Sequence, residues 1–84
     1  MRYFVYVLRG IKDRKLYVGY SENPERRLKQ HNAGETKSLF RRRPLVLIYK
    51  EGFKNELEAR RRERFLKSGQ GRKFLKEVLK RRNE

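Results

Sequence analysis

Three short apolar runs limit what this chain can become: YFVYVL at 3–8, LYVGY at 16–20 and LVLIY at 45–49. All are rich in β-branched and aromatic residues, and all are shorter than a typical helix. The first lacks alternating polar positions and predicts a strand buried on both faces. Gly10 and Asp13 in RGIKDRK mark a hairpin turn into the second strand. Asn23 before Pro24 pairs an N-cap with proline at the first helical position, predicting a helix from Pro24 to about Asn32 that stops at Gly34. TKSLFRRR reads as a basic connection, and Pro44 opens the third strand. Asn55 and Glu58, spaced as in a capping box, begin a helix reaching about Ser68. SGQG reads as a break. RKFLKEVLKRR then predicts a short amphipathic helix with Phe74, Leu75, Val78 and Leu79 on its apolar side. With no internal repeat and no linker, residues 1–84 form one domain of order β-β-α-β-α-α. This is an α+β fold: a small, mainly antiparallel three-stranded sheet flanked by helices.

Charge narrows the partners. The 84 residues hold 25 Lys plus Arg against 10 Asp plus Glu, a net charge of +15. Self-repulsion on this scale disfavours a compact monomer and implies an anionic partner. Five Tyr and five Phe argue against a disordered basic tail. A polyanion with stackable bases, DNA or RNA, fits both facts. The absence of cysteine excludes disulfides and thiolate zinc sites, and a single histidine excludes a zinc site built from several imidazoles. No apolar run approaches the ~20 residues of a membrane span, and MRYFVYVLRG is too short for a signal peptide and soon charged. The expectation is a soluble, cytoplasmic protein, monomeric or weakly homodimeric. The apolar face of the last helix is too short to favour docking on a membrane.

A few polar residues lack an obvious structural purpose. Leu28 is the only large apolar residue of the first helix and marks its inward face. Arg27 lies about 100° to one side of it and His31 about 60° to that same side. The pair is therefore expected at the rim of the buried surface, where a guanidinium fork and a titratable imidazole make a phosphate site. Spacing alone leaves a solvated basic face equally open. Glu63 shares a helical face with Ala59 and Leu66 inside RRRERF. It reads either as a salt-bridge partner of Arg60 or Arg62, or as a carboxylate for one hard divalent cation. Tyr6 and Tyr17 sit mid-strand, where a phenol is usually core filler. Ionising one at pH 7 costs about 4 kcal/mol, so chemistry there needs a cation nearby. Gly19, ending the second strand, is either a turn glycine or a gap admitting a phosphate backbone.

Taken together these residues resemble the GIY-YIG nuclease family in its small single-domain form, from Tyr3 to about Phe74. FVY at 4–6 corresponds to the first signature triplet and YVG at 17–19 to the second. The resemblance assigns the two family tyrosines to Tyr6 and Tyr17 and the glycine to Gly19. The helix arginine maps to Arg27, the histidine four residues on to His31, and the acidic metal ligand to Glu63. Phe4 and Val5 replace the name-giving Gly and Ile.

The resemblance implies DNA phosphodiester hydrolysis with one Mg²⁺ or Mn²⁺ ion. Tyr6 is the general base, helped by His31, and Tyr17 positions water or phosphate. Arg27 stabilises the pentavalent phosphate, and Glu63 holds the metal. No separate target-choosing domain is expected, and sequence preference is expected to be weak. Affinity is expected from Arg41, Arg42 and Arg43 and from the arginines at 60–62, about six phosphate contacts that make binding steeply salt-dependent. The alternative is a non-catalytic basic nucleic-acid adaptor on the same fold. Catalysis requires the five residues to line one solvent-open hollow.

Overall fold

In the computed structural model, which describes residues 2–82, the middle strand of the sheet is the first in sequence. Strand β1 (Tyr3–Gly10) pairs antiparallel with β2 (Leu16–Ser21) on one side and with β3 (Leu45–Phe53) on the other. The central position explains why β1 lacks a polar face. Val5 and Val7 point to one side of the sheet, and Tyr6 and Leu8 to the other; all four are essentially unexposed. A register shift after Val7 moves its partner Tyr49 to Leu47 for Leu8, leaving Ile48 as the extra residue of β3.

Each face has its own cover. Helices α2 (Glu56–Lys67) and α3 (Gly69–Arg82) deliver Ala59, Leu66, Leu75 and Leu79 onto Val5, Val7, Val18 and Tyr49. On the opposite face, α1 (Pro24–Asn32) and a 3₁₀ helix (Lys37–Arg42) enclose Tyr6, Leu8, Leu39 and Leu45. The expected α+β order is observed. The basic connection is more than a linker, however. Its Leu39 is 1% exposed and fills the second core, and the surrounding charges hide that role in the sequence.

Caps set the helix starts as expected. Asn23 Oδ1 accepts from the Arg26 N–H at 3.1 Å, and Asn55 Oδ1 from the Glu58 N–H at 2.9 Å. The SGQG stretch departs from expectation, because only Ser68 lies between α2 and α3. Ser68 Oγ donates to the Phe65 carbonyl and accepts from the Gly71 N–H, ending one helix while capping the next. Gly71 is a packing residue. A Cβ there would collide with the Phe65 carbonyl oxygen and would stand 2.5 Å from Leu66 Cα.

Candidate active site at the β2 edge

Strand β2 is an edge strand, and opposite Gly19 on it stands Tyr6. The phenol of Tyr6 reaches across the glycine: a Cβ at position 19 would sit 2.7 Å from Tyr6 Oη and 2.8 Å from Cζ. Gly19 is thus required by close approach of an aromatic ring. Two residues along, Tyr17 projects from the same face, its ring 6.4 Å from that of Tyr6. It meets the imidazole of His31 edge-on at 5.4 Å.

His31 reaches this point because the last turn of α1 packs against the sheet. It is wholly buried, whereas Leu28 is only partly so. The expectation that His31 lies at the rim is therefore corrected: the imidazole is the inward residue. Burial is tolerated because both ring nitrogens have partners. Nε2 lies 3.4 Å from Tyr6 Oη, and Nδ1 lies 2.7 Å from Thr36 Oγ1. A proton on Nδ1 donated to Thr36 leaves Nε2 free to accept the Tyr6 hydroxyl; the other tautomer reverses both roles. Burial, then the charge of Arg27, pushes the His31 pKa below its ordinary value, so the ring is neutral at pH 7. Thr36 was not legible as a site residue, since five residues beyond His31 it lies outside the helix spacing.

Burial also raises the Tyr6 pKa, followed by the neighbouring Tyr17; Arg27 opposes them through its hydrogen bond and charge, and Glu63 adds a further upward push. The guanidinium and the carboxylate thus both act on one phenol. Arg27 is half-buried and donates from Nη1 to Gln30 Oε1 at 2.6 Å. Its outer side lines an open hollow of about 590 Å³ with Arg2, Ser21, Arg26 and Gln30. The single open hollow expected for all five residues is not observed. Tyr6 is 1% exposed and His31 0%, because in so small a domain both complete the core under α1.

Glu63 comes from α2, which covers the other face but packs against both β1 and β2. Neither Arg60 nor Arg62 is its partner. Its ion pair is with Lys67 one turn on, at 3.4 Å, while Arg62 is held by Glu51 at 2.9 Å. The Glu63 side chain is 20% exposed and Lys67 54%. Such a pair contributes little, about 0–1 kcal/mol. Among the described residues no three potential ligands from His, Asp and Glu cluster together. The donor set fits one hard cation on a single carboxylate completed by water and phosphate oxygens, and does not fit an all-protein cage.

The arginines expected to hold nucleic acid divide into two groups. Arg41, Arg60 and Arg61 are exposed. Arg42 pairs with Asp13 at 3.0 Å. Arg43 donates to the Phe40 and Asn32 carbonyls and stacks 3.8 Å from the Phe40 ring centre. Arg62 lies within 5.0 Å of the rings of Phe65 and Phe74. Three of the six cations therefore hold the fold together as well.

Two cross-strand tyrosines, a glycine that makes room for one of them, and an Arg–His helix against the sheet edge form one cluster in a small α+β domain. The GIY-YIG catalytic domain model matches residues 2–76, and the chain belongs to that family, whose chemistry is of the nuclease kind. A UPF0213 protein of Staphylococcus haemolyticus is 41% identical over 81 residues, covering 95% of this chain and 98% of the relative. One from Clostridium perfringens is 43% identical over 65 residues, covering 76% and 69%. The solution NMR structure of a UPF0213 protein from Bacillus halodurans matches with a TM-score of 0.56 at 32% identity, covering 93% of this chain and 85% of that one.

Proposed function

We propose that this protein is a metal-dependent endonuclease that hydrolyses DNA phosphodiester bonds with little sequence preference. The observation that carries the reading is the packing around one phenol: His31 Nε2 lies 3.4 Å from the Tyr6 hydroxyl, the Tyr17 ring 6.4 Å from its ring, and Gly19 leaves room for it. As Tyr6 Oη takes a proton from the attacking water, it passes its own hydroxyl proton to Nε2 of neutral His31, whose Nδ1 is steadied by Thr36. Tyr17 orients the water or phosphate beside it. Arg27 stabilises charge on the phosphate. Glu63 would hold Mg²⁺ or Mn²⁺, which supplies Lewis-acid stabilisation of the leaving oxygen. Gly19 leaves space for this ring, and Arg41, Arg42 and Arg43 contribute positive charge beside the substrate path.

The 1% exposure of Tyr6 favours a second reading, a nucleic-acid adaptor that does not cut. A plasmid-nicking assay with Mg²⁺ or Mn²⁺ separates the two. The nuclease nicks supercoiled DNA, and Glu63→Ala or Arg27→Ala lowers the rate by at least about 100-fold, the scale of lost transition-state stabilisers. Nicking at equal rates by wild type and Glu63→Ala overturns the metal assignment. Salt-sensitive binding by a wild type that never nicks selects the adaptor.

A further inference from the structure

A second and larger groove, about 1210 Å³, runs between the β2 edge and the α2–α3 corner. Eight lysines and arginines line it and no acidic residue does, so its charge is one-signed. On α3 the cations Arg72, Lys76 and Lys80 recur every four residues, a row about 6 Å apart along the helix axis. Among the described residues none of these three is ion-paired. Arg9 and Arg14 face them from the hairpin side.

Two lining residues join this groove to the candidate site. Tyr17 contacts the His31 ring, and Lys67 is the ion-pair partner of Glu63. The wall at that end is apolar as well as basic: Leu16 is 37% exposed, and Tyr17 is half-buried beside it. A duplex presents sugar and phosphate on its outside and leaves these two side chains without a suitable partner. An unpaired strand gives phosphates to the lysines and base faces to the apolar wall.

We propose that the β2–α3 groove binds a single-stranded DNA segment and leads it to Tyr17, so that the substrate is a single strand or the unpaired arm of a branched DNA. The cleavage half of this statement rests on the nuclease reading above; the binding half does not. The test uses the full chain and fluorescein-labelled oligo-dT of ~12 nucleotides, within the range of known single-strand grooves, beside a duplex of equal length. Anisotropy is read without divalent metal, and nicking of a branched DNA with it.

The wild type is expected to bind oligo-dT more tightly than duplex. A groove variant, Arg72→Glu with Lys76→Glu and Lys80→Glu, is expected to lose at least tenfold in oligo-dT affinity. Its dependence of log affinity on log salt becomes shallower by about 2. A control with the same charge change on exposed Lys29, Lys37 and Lys54 loses less than threefold. Equal losses in the two variants, or tighter duplex binding by the wild type, overturn the groove. If the glutamate variant melts early by circular dichroism, the glutamine triple at the same positions is read in its place. Groove binding without nicking overturns the cleavage reading alone, and nicking without a groove preference overturns this proposal alone.

Discussion

A histidine with no exposed surface is an energetic commitment, and His31 makes its own pH prediction. Its folded pKa lies below the value of the unfolded chain, because burial and then Arg27 disfavour the imidazolium. The unfolded state therefore binds the extra proton first as pH falls. Stability is full above the unfolded pKa of about 6.5 and declines as pH drops below it toward the folded value. The chain has one histidine and no cysteine, so few other groups titrate in that window. Urea midpoints for the wild type are expected to fall between pH 7 and pH 5.5, whereas those of His31→Gln stay nearly level. A wild-type curve as flat as the variant's contradicts the buried, neutral imidazole. Only part of this residue was legible in advance. The spacing of Arg27 and His31 placed both on one side of α1, but the depth of His31 depends on Tyr6 and Thr36, which helix geometry does not reveal.

At the level of elements, legibility followed the distance over which each signal acts. The caps at Asn23 and Asn55 bond N–H groups three residues away, and both helix starts were readable. The bulk of β1 was readable because its whole sequence is apolar or aromatic. Asn32 was visible only as the end of α1, yet its side chain joins that helix to β3: Oδ1 accepts from the Leu45 N–H at 2.8 Å, and Nδ2 donates to the Leu45 carbonyl at 2.9 Å. Gly71 and Leu39 escaped for the same reason, since their roles lie in contacts with separate elements. Asn32→Ala removes both bonds and strands two partly buried backbone groups, which costs about 2 kcal/mol. In a domain of this size that lowers the melting midpoint by roughly 10 °C. Asn32→Asp keeps the acceptor and loses the donor, and is expected to fall between the two in thermal melts. A midpoint for Asn32→Ala within a degree of wild type rejects the clasp.

Over the whole molecule the dominant quantity is the excess of positive charge. The net charge of +15 is spread over a body of 31 × 30 × 22 Å, and the four ion pairs among the described residues leave most cations uncompensated. A Debye length of about 10 Å at 0.1 M salt is shorter than any of these dimensions and falls to about 3 Å at 1 M. Added salt therefore screens repulsion across the fold, while it also weakens attraction to a polyanion. The two responses have opposite signs. Raising NaCl from about 0.05 M to 0.5 M is expected to increase the melting temperature of the free protein and to reduce its affinity for oligo-dT by more than tenfold. Were the fold held chiefly by surface ion pairs, salt would lower the melting temperature instead. The hydrophobic clusters on the two sheet faces carry the fold, and the surface charge opposes it until a polyanion is bound. A saturating oligonucleotide at low salt should accordingly raise the melting midpoint more than the NaCl does, because it both neutralises the cations and adds its own binding energy to the native state.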